Sequence, residues 1–445
     1  MKNKLVSSAD EAVSIIHDGS TVLISGLFGV GAAEELIQSL ANRRVKNLTV
    51  VTNGTGFLTP LLLNGCVKKI ICTLPKLKLG LDKIRGIAEA VAEHNAGALE
   101  VEVVAQSLIT ERLNAGTAGI AAFYTPIGAG TELANGKEVR DFNGVPHVLE
   151  HAIQADYALI AASSADPYGN LVYSGSVRCS TVEMAMNAKC TIVQVDNLVK
   201  PGTLNPDNIV TSGAFVGRLC VTKERTKPKW RQRRDTARDE VGNAIGYRIA
   251  HDLPHDSIVE FGFGLPWFTF DHLPLDRGIM VHSEGVLGIE TVVPATEPDT
   301  LVRSAAGDAV RFGAYGSVQT FDASFKLVTK GLIDVAVLGA LQVSSNGDFA
   351  SWKTDSNDKL PAVGGSIELA TKSKSLYIAM THLTRDGKSK IVQDCTLPVT
   401  ARGVVKRIYT DLATLEVTAN GLKVIDIHNG MSHNELETLT GVKLL

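Results

Sequence analysis

The chain has 445 residues, of which 44% are hydrophobic and 20% charged, with a net charge of -3. At roughly 100–200 residues per domain this length predicts two or three domains, with chain enough to bury a core without disulfides or a structural metal. The near-neutral balance excludes a global field that would recommend nucleic acid or an anionic membrane as partner.

Six cysteines stand at 66, 72, 179, 190, 220 and 395, none in a C-x-x-C pair or at metal-ligand spacing with a histidine. They read as reduced, mostly buried thiols, and no metal is expected. The N-terminal MKNKLVSSADEA turns acidic where a signal peptide becomes apolar. No apolar run approaches the ~20 residues that span a bilayer. A soluble, cytoplasmic protein is expected.

Residues 21–24 are a short β-branched run, and 25–31 (SGLFGVG) a glycine-rich turn. Residues 33–41 then place Leu36, Ile37 and Leu40 at helical spacing. Strand-like runs follow at 48–52, 70–73, 99–104, 157–161 and 190–195. The alternation predicts a mostly parallel sheet covered on both faces. Residues 223–234 (KERTKPKWRQRR) break the rhythm with seven basic residues and one acidic. A charge run of this kind reads as a solvated linker; a basic arm for ligand phosphates or nucleic acid is the alternative. The pattern restarts with a helix over 237–251 and a strand over 257–261. A second glycine turn, 262–266 (GFGLP), is followed by strands at 278–282, 332–338, 375–380 and 422–427. The fold class is therefore α/β, two similar domains each with a mostly parallel sheet flanked by helices. The first domain is 1–222, the linker 223–236 and the second domain 237–445.

Four stretches can carry chemistry. The turns with Gly26, Gly29 and Gly31 and with Gly262 and Gly264 follow strands, where backbone N–H groups can approach an anion. Neither fits a dinucleotide or phosphate-loop fingerprint. Each alone is also a plain strand-to-helix turn; one in each half suggests two walls of one cleft. In 282–288 (HSEGVLG) a carboxylate, Glu284, comes after a strand and before a glycine. In parallel sheets such strand ends line the ligand crevice, and an ionised glutamate can attack an acyl group. His282 invites a base or metal role, but a lone strand histidine is more often packed. Residues 338–348 (LGALQVSSNGD) and the pair Gly364-Gly365 offer further turns and unobstructed amides.

Together these pieces resemble the class I CoA transferases, most nearly the succinyl-CoA:3-oxoacid and 3-oxoadipate enzymes. The family's G-G-F-G-x-x-G-x-P turn is similar to 25–33, and its strand ending in Ser-Asn-Asn to 51–53. Residues 105–112, 122–131 and 136–144 match further stretches of its first half. In the second half G-I-G-I-P resembles 262–266 and S-E-N-G-x-L-G resembles 283–288. The L-G-A-M-Q-V stretch resembles 338–343, the Gly-Gly pair 364–365 and C-T-L-P 395–398. The matches run in order through almost the whole chain. The resemblance implies that Glu284 is the nucleophile, passing through a mixed anhydride and a glutamyl-CoA thioester. It implies Asn53, Gln106 and Gly365 as oxyanion or orienting groups. Gly339, Ala340, Gln342, Val343 and Gly364 would contact CoA. It further implies acyl-CoA and carboxylic acid substrates, no cofactor beyond CoA as substrate, and a homodimer or homotetramer.

The sequence departs from the pattern in three places. Glu-Asn-Gly is shortened to Glu284-Gly285, so an alignment from the following glycines would put Ser283 on the catalytic position. Strand length is fixed by the sheet while turns tolerate deletion, which favours Glu284. The altered motif also keeps open an acyl-CoA hydrolase on the same scaffold. Glu260 stands where the succinyl-CoA:3-oxoacid enzymes have asparagine. Phe261, Phe263, Trp267, Phe268 and Phe270 make the second glycine turn aromatic, either as core or as the wall of a bulkier acyl site.

Overall fold

The computed structural model describes residues 2–27, 30–75, 85–222, 237–294, 297, 300–354, 358 and 360–445. Gly29 and the basic segment 223–236 lie outside the described residues. The first sheet runs Val216–Val221, Cys190–Leu198, Tyr157–Ala165, Thr21–Ile24, Leu48–Val51, Val67–Cys72 and Glu100–Val103, every neighbouring pair parallel. Its central strands are buried along most of their length, as sheets covered on both faces require.

The second sheet has nine strands. Its centre, Met280–Ser283, Ile258–Phe261, Val335–Leu338, Ser375–Ala379 and Val405–Tyr409, is parallel. Antiparallel strands Val286–Val292 and Val310–Val318 extend one edge, and Ala413–Thr418 and Gly421–Ile427 the other. These edge hairpins include Val286–Val292 and Val310–Val318, which alternation in the sequence did not mark because bulges interrupt their register. Among the described residues no helix is long and apolar enough to cross a membrane. All six cysteines are free thiols, four of them buried.

The two halves share apolar packing. Trp352, Val363 and Ile367 of the second half are buried in the same cluster as Val104, Leu108 and Ile127 of the first. Strand ends of both sheets meet there: Asn53 follows Leu48–Val51, Gln106 follows Glu100–Val103, Gly262 follows Ile258–Phe261 and Glu284 follows Met280–Ser283.

Candidate active site

Glu284 and Gly285 are the two residues that connect strands Met280–Ser283 and Val286–Val292. Ser283 pairs with Val286 and His282 with Leu287, so the turn holds two residues only. Both have positive φ, 47° at Glu284 and 84° at Gly285, the pattern of a tight type I′ hairpin. A left-handed non-glycine residue costs about 1–2 kcal/mol. Here the surroundings hold it: Gln319 N donates to Gly285 O at 2.7 Å, and the Cys179 thiol donates to Glu284 O at 3.1 Å. A Cβ on Gly285 would stand 2.8 Å from the Cys179 Sγ and 3.0 Å from Gln319 O. Only glycine fits there.

The Glu284 carboxylate opens on a cavity of about 110 Å³ between the halves. Leu74 and Gln106 of the first half line it, with Phe263, Phe325, Leu369, Gly364 and Gly365 among the residues of the second. Gln106 Nε2 donates to Glu284 Oε2 at 2.9 Å, and Gln106 N to Gly364 O at 3.1 Å. One first-half residue thus touches both the carboxylate and the Gly-Gly pair. A Cβ on Gly365 would lie 3.4 Å from Phe325 and 3.6 Å from Gln106 Oε1, so the bare glycine keeps this wall open. Burial pushes the Glu284 carboxyl up to about 7; Glu260 adds to the rise, and the Gln106 hydrogen bond and His282 oppose it.

Asn53 is buried, and neither its side-chain oxygen nor its nitrogen has a partner among the described residues. Its backbone oxygen accepts from Thr73 N and Leu74 N, which ties it to the cavity wall. An unsatisfied buried amide costs roughly 1–3 kcal/mol. The other expected contacts are spread out. Gly262 lines the cavity. Gly264 has φ 88° at the start of the 3-10 helix Leu265–His272. Gly26 and Gly31 have positive φ and face Phe57 and Val177 closely. Gly339 follows a strand; Ala340 packs partly buried against the second-half core. Val343 is fully buried in that core, and the Gln342 amide is engaged by Thr396 and Leu397.

Ser283 is buried and accepts the Ala305 N–H at 2.7 Å, whereas Glu284 faces the cavity. Of the aromatic residues, Trp267 and Phe270 stack at 4.9 Å in the core and Phe268 packs against Gly242 and Gly246. Phe261 and Phe263 alone of that group line the cavity. Three residues had no sequence signal. Ser324 sits in helix Phe321–Thr329 and lines the cavity. Glu368 is fully buried with Oε1 accepting the Ser107 N–H at 2.8 Å, and burial pushes its carboxyl up. Cys179 holds the turn. Each reaches the site from a helix or loop far away in sequence, and only their proximity to Glu284 marks them.

The family profile described as coenzyme A transferase matches residues 6–221 and 243–437. The mitochondrial succinyl-CoA:3-ketoacid coenzyme A transferase 2A of Rattus norvegicus is 31% identical over 99% of this chain and 89% of its own. The 3-oxoadipate CoA-transferase of Acinetobacter baylyi has two separate subunits that both match. One is 42% identical over 48% of this chain and 93% of its own length. The other is 39% identical over 45% of this chain and 93% of its own. Among solved structures, an acyl-CoA transferase of Escherichia coli O157:H7, in thioester complex with CoA, superposes with a TM-score of 0.77 at 18% identity. That match covers 100% of this chain and 94% of the other, a likeness of fold.

Proposed function

The chain belongs to the coenzyme A transferase family, and from that premise we propose that Glu284 carries CoA from an acyl-CoA donor to an acceptor acid. One Glu284 oxygen attacks the thioester carbonyl, the C–S bond breaks and CoA leaves as thiolate. The thiolate then attacks the glutamyl carbonyl of the mixed anhydride. The acid departs as carboxylate and Glu284 is left as a CoA thioester. An acceptor acid reverses both steps. No net proton is consumed.

The observation that carries this reading is the partly buried Glu284 carboxylate, held by Gln106 of the opposite half at the wall of a cavity. A solvated carboxylate of pKa near 4.3 displacing a thiolate near 8.5 is uphill by roughly 6 kcal/mol at about 1.36 per pH unit. With the Glu284 carboxyl at about 7, the same comparison leaves only ~2 kcal/mol. Oxyanion donors supply ~2.7–4 kcal/mol each, and Gln106, Asn53 and the Gly365 N–H are the candidates. The apolar wall of Leu74, Phe263, Phe325 and Leu369 favours exclusion of water, which both intermediates require. It also favours an acyl group with an apolar body.

Acyl-CoA followed by borohydride should leave a reduced label on the Glu284 peptide, read by mass spectrometry. Label on Ser283, or none, overturns the assignment. CoA release that needs no acceptor acid would favour hydrolysis over transfer. A panel of acyl donors tests the apolar preference, and fastest turnover with succinyl-CoA and acetoacetate would remove it.

A further inference from the structure

Three side chains beside the nucleophile form one unbroken hydrogen-bonded line. Glu260 and His282 are register partners on adjacent parallel strands, so their side chains share one face of the sheet. His282 Nδ1 lies 2.7 Å from Glu260 Oε2, and Nε2 lies 2.8 Å from Ser324 Oγ. Ser324 Oγ also accepts the Gly285 N–H at 3.1 Å. All three side chains are buried, and all three line the cavity with Glu284.

Such a line is a poor way to gain stability. Burying a carboxylate and an imidazole costs several kcal/mol per ion unless geometry and hydrogen bonds recover it, and apolar residues of similar volume often do as well. The line ends on the backbone of the residue that follows the nucleophile. It therefore acts on the turn and on the charge beside it. The groups facing Glu284 are Glu260, His282 and Glu368 of its own half and the Cys179 thiol of the first. Two of these are carboxylates. His282 is bonded to both of its neighbours; of the two, Glu260 raises the Glu284 carboxyl and His282 lowers it.

We propose that Glu260, His282 and Ser324 are positioning residues for Glu284: Ser324 anchors the Gly285 amide and so the turn, while His282, bonded to Glu260, holds the Ser324 hydroxyl and offsets the second carboxylate beside the nucleophile. This inference rests on the reading of Glu284 as nucleophile. A bonded Glu–His–Ser sequence is also the constellation of an activated serine. Here the Ser324 hydroxyl already accepts the Gly285 amide, which gives it a holding role.

The test uses the full-length enzyme and the acid limb of the kcat/KM–pH profile. His282→Gln keeps hydrogen-bonding capacity and removes the charge. It should move the acid limb up by about one pH unit, a tenfold loss on that limb. Glu260→Gln should move the limb down, and the double variant should return it toward wild type. Ser324→Ala should lower kcat about tenfold with the limb unmoved, and Ser324→Thr should restore it. A purely structural role would change melting temperature and leave the limb fixed in every variant, which overturns the proposal. Should His282→Gln fail to fold, Glu260→Gln reads the same pair from its other end. Borohydride trapping of the wild type separates the two readings. Label on Glu284 with an unmoved limb overturns the relay alone. Label on Ser324 or none overturns both.

Discussion

Glu284 is strained twice, by a left-handed backbone and by a carboxyl partly withdrawn from water. Its folded-state value of about 7 lies above the ordinary 4.5, so the folded chain holds a proton that the unfolded chain releases between those values. Stability from this group is complete below pH ~4.5 and is lost as pH rises through 7, by roughly 3 kcal/mol at about 1.36 per pH unit. Glu284→Gln should therefore abolish the trapped adduct and open a melting-temperature gap over wild type that grows from pH 5 to 8. Equal melting curves at pH 8 would contradict this. Glu284→Asn should create an Asn-Gly turn, the favoured type I′ sequence, and raise stability by ~1 kcal/mol with activity gone. Denaturant unfolding at pH 6, where charge matters less, measures it. The candidate nucleophile was legible because a carboxylate between a strand and a glycine is a local pattern. Its strain was not, since φ depends on the strand pairing around it.

At the scale of the hairpin, the missing asparagine has a geometric meaning. The turn keeps two residues, and the Gln319 N–H fixes Gly285 O. Inserting an asparagine between Glu284 and Gly285 should lengthen the loop, break the Gln106 hydrogen bond and lower kcat at least ~10²-fold, a cost typical of ångström-scale misplacement. Melting within a few degrees of wild type would show the fold intact, and unchanged kcat would mean that the short turn does not set the aim. Most strands and helices followed from β-branched runs and helical spacing. The edge hairpin that receives Glu284 was not readable, because bulges between Leu287, Ile289 and Thr291 interrupt its alternation.

Across the whole molecule the site belongs to neither half. Gln106 meets Glu284, the Ser107 N–H meets Glu368 and Asn114 meets Asp322 at 2.8 Å. Lys353 pairs with Glu132 at 2.6 Å, and the apolar cluster continues between the halves. The two Acinetobacter baylyi polypeptides match 45% and 48% of this chain. Co-expressed 1–222 and 237–445 should therefore copurify and still form the borohydride-trapped adduct. Separation on a sizing column would assign the association to the chain connection instead of the interface.

The sequence by itself determined two α/β halves, their order, the strand ends and Glu284 at one of them. These depend on local spacing, and spacing is written along the chain. The tertiary structure decided which strand ends meet: it set Gln106 against Glu284, left the Asn53 amide without a partner among the described residues and joined the Gln342 amide to Thr396 and Leu397. It also joined Glu260, His282 and Ser324 into one line. The physical reason is that burial and hydrogen-bond partners arise between residues far apart in the chain, 178 positions in the Gln106–Glu284 bond and 261 in the Ser107–Glu368 bond. A lone histidine reads as packed until the strand beside it supplies a carboxylate and a distant helix supplies a hydroxyl.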